Sequence, residues 1–106
     1  MPNRNEKVAN TIKELAAEFL GRENNNTSLI TVTGATASPD LKRATVYITV
    51  LPNTKETEAL AFTKRRRGDF REFLKKNLPI KTIPFLDFAI DLGEKNRQKI
   101  DELLRQ

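Results

Sequence analysis

Lys64-Arg65-Arg66-Arg67, followed by Arg71, Lys75 and Lys76, puts seven cations between Ala59 and Leu78, against only Asp69 and Glu72. The local excess of five positive charges equals the +5 net charge of the whole 106-residue chain, so the other charges balance one another elsewhere. Guanidinium and ammonium groups at this density bind phosphate, through charge and through donated hydrogen bonds, and they steer polyanions toward the surface. Such a run also occurs as an ordinary solvated helix face. Concentration of the entire net charge in one segment weighs toward binding. Lys42 and Arg43 form a smaller basic pair beside a turn, where they either extend the same surface or guard a strand edge against aggregation.

Other chemistries find little support. The chain has no cysteine and no histidine, which removes disulfides, thiol nucleophiles, imidazole acid–base catalysis and the usual zinc sites. Ser38 and Asp40 flank Pro39, and turn formation explains both, with no base to activate the serine. Phe70, Phe73 and Phe88 fall on apolar stripes that the core needs, which leaves Phe85 and Tyr47 open as stacking platforms for bases. Asp87 and Asp91 read as solvated carboxylates on an alternating strand beside a basic surface, so no metal and no cofactor is assigned. No apolar run reaches the roughly 20 residues of a membrane span, and the first ten residues are too polar for a secretory signal. A pI near 9.7 in a chain expected to be cytoplasmic and monomeric favours nucleic acid over a membrane surface. The candidate RNA-binding set is Lys42, Arg43, Lys64, Arg65, Arg66, Arg67, Arg71, Lys75 and Lys76.

The elements that must position these residues can be read in order. Asn3 and Glu6 have capping-box spacing, and Val8, Ile12, Leu15, Ala16 and Phe19 share one helical face as far as Gly21. Arg22 to Ser28, with three asparagines, reads as a polar and mobile loop. Leu29 to Ala37 reads as a strand, Ser38-Pro39-Asp40 as a turn, and Ala44 to Val50 as a second strand with strict alternation, together an antiparallel hairpin. Asn53 and Glu56 suggest the cap of the next helix, which carries the basic run. Gly68 weakens that helix, so a kink is expected there, with Asp69 opening a second helix whose Phe70, Phe73, Leu74 and Leu78 face inward. Pro79 ends it, Leu86 to Asp91 alternates as a third strand, and a last helix presents Ile100, Leu103 and Leu104.

The order helix, strand, strand, kinked helix pair, strand, helix specifies one α+β domain over residues 1–106, with helices layered on a small sheet. This is the order of a type II KH domain, yet no two of Gly21, Gly34, Gly68 and Gly93 have the spacing of the GxxG loop that clamps RNA in KH domains. The sequence resembles the bacterial ribosome-binding factor A family, whose fold is a KH variant lacking GxxG. The resemblance rests on Arg4 and Lys7-Val8, on Leu29 to Thr33, on Ser38-Pro39-Asp40-Leu41, and on Ala44 to Leu51. It continues through Gly68, Arg71, Leu74, Pro84, Leu86, Phe88, Asp91 and Leu103-Leu104. Where that family has Ala-x-Gly at its interhelical kink, this chain has Arg66-Arg67-Gly68. The extended C-terminal tail of many family members is not expected here.

The resemblance implies a non-catalytic assembly factor that binds free 30S subunits and immature 16S rRNA and supports late folding and 5′-end processing of that RNA. The residues alone also admit a general KH-like RNA-binding module, or a protein-interaction domain with an incidental basic face.

Overall fold

Strict alternation from Ala44 to Val50 builds the centre of the molecule. In the computed structural model, which describes residues 4–22 and 28–104 apart from the side chains at 98, 99, 101 and 102, strand β2 (Arg43–Leu51) buries Ala44, Val46, Ile48 and Val50. Thr45, Tyr47 and Thr49 stand half-buried on its other face. Strand β1 (Leu29–Ala37) pairs with β2 antiparallel, and β3 (Phe85–Ile90) pairs with it in parallel on the opposite edge, giving the order β1-β2-β3. A hairpin can join the first pair directly, whereas a parallel pair needs a crossover. Helices α2 (Glu56–Arg65) and α3 (Arg67–Asn77) supply it.

The helices cover one face of the sheet. Helix α1 (Arg4–Arg22) buries Val8, Ile12, Ala16 and Phe19 at the i, i+4 and i+3 spacings of a single stripe. Phe70 of α3 lies 5.2 Å from Phe19 and 5.7 Å from Phe88 of β3, between ring centroids. The tilted rings join α1, α3 and the sheet, and aromatic pairs of this kind add about 0.5–1.5 kcal/mol beyond the area they bury. The hairpin turn is tied by Ser38 and Asp40. The Ser38 hydroxyl donates to Asp40 Oδ1 at 2.6 Å and the Lys42 N–H donates to the same oxygen at 3.0 Å. These two bonds, Ser38's first, hold the Asp40 carboxyl below the usual carboxylate range. Leu41 completes the turn at φ 59°, a left-handed conformation rare for leucine, while its side chain packs against the core.

Three sequence expectations, the kink at Gly68 and the caps at Asp69 and Asn53, are corrected. The helix break falls at Arg66 and not at Gly68. Arg66 (φ −92°, ψ 4°) shares its N–H between the carbonyls of Phe62 and Thr63, at 3.2 and 3.1 Å, as in a tightened last turn. Just upstream, the buried Thr63 hydroxyl donates to the Leu60 carbonyl at 2.7 Å, a back-bond of the kind that bends helices. Asp69 therefore lies in the first turn of α3 and does not cap it; its carboxylate accepts from the Arg66 guanidinium at 3.1 Å. Asn53 does not cap α2 either. Residues 53–55 form a 3-10 turn whose backbone bonds, Lys55 N–H to Pro52 O and Glu56 N–H to Asn53 O, lead into the helix without a side-chain cap.

Helix α4 (Leu92–Leu104) forms as the periodicity suggests, but its apolar stripe does not join the core. Leu92, Ile100, Leu103 and Leu104 are all exposed. The expected cap at Asn3 and the loop at 23–27 lie outside the described residues.

Candidate nucleic-acid interface

Alternation along β3 sends Leu86 into the core and Phe85 outward, 61% exposed, at the start of the edge strand. The Phe85 N–H donates to the Lys42 carbonyl at 2.8 Å, and Phe85 stands in register with Arg43. Paired residues share a sheet face, so Arg43 flanks the ring on the face away from the helices. Arg67, the first residue of α3, reaches around the edge to the same ring. Its guanidinium carbon lies 5.5 Å from the ring centroid, and its Nη1 lies 3.6 Å from Asp87 Oδ1. Lys64 approaches that oxygen at 3.9 Å. The basic run is thus anchored to β3 by one carboxylate and one aromatic ring.

Arg71 follows Arg67 at helical spacing, and with Gly68, Ile83, Pro84, Phe85 and Leu86 the two arginines line a cavity of about 330 Å³. Its floor is apolar and its rim cationic. A side chain at Gly68 would meet nothing within 4 Å, and no glycine among the described residues takes a positive φ. Neither packing nor backbone conformation requires glycine at that position on the cavity wall. The contacts that hold Arg67 are exposed and weak, about 1 kcal/mol or less each. They orient the guanidinium and leave its donors available to an incoming phosphate.

The structure gathers the candidate cations unevenly. Arg67 and Arg71 line the cavity, Arg43 stands beside Phe85, and Lys64 joins through Asp87. Lys75 continues the Arg67–Arg71 face and pairs with Glu72 at 3.3 Å. Arg65, Arg66 and Lys76 lie outside the cavity wall, Arg66 over the Phe62 ring at 5.6 Å. Lys42 lines a neighbouring cleft together with Arg4 and Lys81. Sequence reasoning left Phe85 undecided. No spacing in the sequence joins positions 4, 42 and 81, which only the fold brings together.

Asp87 and Asp91 keep partial exposure to solvent, as their alternation suggests, and each also takes protein partners. Asp87 meets Lys64 and Arg67 and accepts the Phe88 N–H at 2.9 Å. Asp91 caps α4 by accepting the Glu94 N–H at 2.9 Å, and its other oxygen accepts the Thr33 hydroxyl at 2.5 Å. The register shift between Val32 and Gly34 bulges β1 at Thr33. The Thr33 bond, then the Glu94 N–H, hold the Asp91 carboxyl below its ordinary range. Among the described residues there is no cluster of three or more metal-ligating side chains, and no helix is long and apolar enough to cross a membrane.

Comparison with known proteins agrees with this architecture. A ribosome-binding factor A from Paenarthrobacter aurescens is 33% identical over 108 residues, which cover 99% of this chain and 65% of that protein. The chain thus spans just under two thirds of that relative's length. One from Geobacter sulfurreducens is 34% identical over 112 residues, covering 100% of this chain and 92% of that protein. A homology model of the Thermus thermophilus factor, fitted into the cryo-EM map of a complex with the 30S subunit, superposes with a TM-score of 0.68 at 22% identity, over 76% of this chain and 88% of that one, a likeness of fold. The profile of the family described as ribosome-binding factor A matches residues 4–104, nearly the whole of the fold built above, and the chain belongs to that family.

Proposed function

We propose that this chain is an assembly factor for the small ribosomal subunit, binding free 30S particles and their immature 16S rRNA and supporting late folding and 5′-end processing of that RNA in the cytoplasm. The observation that carries the reading is the pair Arg67 and Arg71 set around the exposed ring of Phe85 in a chain of this family. Guanidinium groups take phosphates and an exposed aromatic face takes an unstacked base, the combination with which proteins hold single-stranded RNA. The chain does no chemistry itself. Asp87 and Asp91, the acids of the third strand and just beyond it, are occupied by cations, a hydroxyl and backbone N–H groups, and the chain carries no histidine or cysteine.

Gradient sedimentation of cell lysate tests this directly. The chain should travel with free small subunits and be missing from translating ribosomes, and the double substitution Arg67→Ala with Arg71→Ala should release most of it, whereas Arg65→Ala with Lys76→Ala should release little. Equal affinity for unrelated single-stranded RNA would instead mark a general RNA-binding module. Precursor rRNA incubated with the purified chain alone should keep its ends unchanged.

A further inference from the structure

The cleft beside the Arg67–Arg71 cavity is built from three separate parts of the chain. Arg4 from the start of α1, Lys42 from the hairpin turn and Lys81 from the segment between α3 and β3 converge on a cavity of about 560 Å³. Three cations brought together from positions so distant in sequence are a product of the fold and not of a local basic run. Arg4 and Lys81 have no ion-pair partner among the described residues, and all three cations are exposed. Asp40 is the one acid in this wall among the described residues, and its Oδ1 is spent on the turn, accepting from Ser38 and from the Lys42 N–H. The left-handed backbone of Leu41, which also lines the cleft, sets Lys42 at the rim. The cleft thus carries positive charge in excess that the protein itself does not neutralise.

The two cavities share Ile83, and the segment from Pro79 to Leu86 forms a wall of both. Resting on the reading of the first cavity as an RNA site, we infer that the Arg4–Lys42–Lys81 cleft is a second phosphate-binding site on one strand path. A single RNA strand seats a base at Phe85 and runs along residues 79–86, so that its next phosphates meet Lys42, Lys81 and Arg4. Phosphodiester is the occupant that this charge and the continuity with the Phe85 cavity favour.

Fluorescence titration of the full chain with single-stranded RNA tests the path, using oligonucleotides of about four and about twelve nucleotides, lengths that span one and more than one binding subsite. The longer strand should bind at least about tenfold more tightly, as expected when two subsites act on one ligand. Removing the cleft cations together (Arg4→Ala, Lys42→Ala, Lys81→Ala) should abolish that gain and flatten the salt slope by about 2, at roughly 0.7 per single-strand phosphate. The charge-conserving set Arg4→Lys, Lys42→Arg and Lys81→Arg should keep the gain, as should removal of Lys13 and Lys55, cations outside the cleft. Three outcomes overturn the inference: no length gain in the unaltered chain, a full gain in the alanine set, or displacement of the long RNA from the cleft by an acidic peptide at equal concentration. Sedimentation with small subunits is read separately. Loss of that binding with the length gain intact defeats the assembly reading and leaves the strand path standing.

Discussion

Asp91 joins three parts of the chain through one carboxylate, capping α4 while holding the bulged Thr33 of β1 from beyond the end of β3. Replacing it with alanine removes a helix cap and a short hydrogen bond and should cost about 1–2 kcal/mol in denaturant unfolding near neutral pH. Its folded-state pKa is lowered, first by Thr33 and then by the Glu94 N–H. The ionised form is therefore favoured in the folded state. Its contribution is complete above the ordinary aspartate value of about 3.9 and fades as pH falls through the lower folded value. The gap between the unaltered chain and Asp91→Ala should accordingly narrow below about pH 4. Asp91→Asn, which can still cap, should lose less stability than Asp91→Ala at neutral pH. Arg66 is a different case, since its side chain is 41% exposed where its guanidinium meets Asp69. Arg66→Ala should change stability by less than about 1 kcal/mol, the scale of an exposed ion pair and an exposed cation–π contact. A loss beyond about 2 kcal/mol in thermal unfolding would mean that the charge is a buried structural partner.

The junction between α2 and α3 shows how far elements could be read from residues. Gly68 looked like the kink because glycine weakens helices, whereas the break is set by Arg66 and by the back-bonded hydroxyl of Thr63. That hydroxyl's back-bond gives no signal in a sequence, where Thr63 is one more residue of the helix. Gly68→Ala should therefore raise stability by about 0.5–1 kcal/mol, since α3 gains a better helix former and the methyl meets nothing. Gly68 lines the cavity with Arg67, Arg71 and Phe85, so binding to small subunits should weaken while thermal stability rises. A fall in both would return the glycine to a structural role. The hairpin was legible almost to the residue, because alternation is a two-residue signal that burial enforces directly. The site was legible only in part. A charge run announces Arg67 and Arg71, but the contribution of Phe85 depends on which edge β3 joins, and that follows from three-dimensional pairing. The exposed stripe of α4 shows the converse, an apolar pattern that predicts burial where the fold provides no partner within the described chain.

At the scale of the whole molecule, principal extents of 50 × 33 × 17 Å describe a thin body, one layer of helices on one sheet, with its interior concentrated in a single interface. The residues proposed to meet RNA lie where that interface ends, at the start of β3 and in the segment that feeds it. The order of the strands also bears on how quickly the chain reaches this state. β1 and β2 meet across a five-residue turn, whereas the β2–β3 ladder must join Arg43 to Phe85 across the entire crossover. Closing the longer loop costs more chain entropy before any contact repays it, so the hairpin should belong to the folding nucleus and β3 should dock late. In stopped-flow experiments Val32→Ala, in the hairpin, should slow refolding, while Phe88→Leu, in β3, should act mainly by speeding unfolding. The reverse pattern would place the nucleus in the crossover. If β3 is the last strand to arrive, the ring of Phe85 and the arginine over it come together only in the completed fold, and partly folded chains emerging during synthesis would carry their basic charge without the surface proposed to hold RNA.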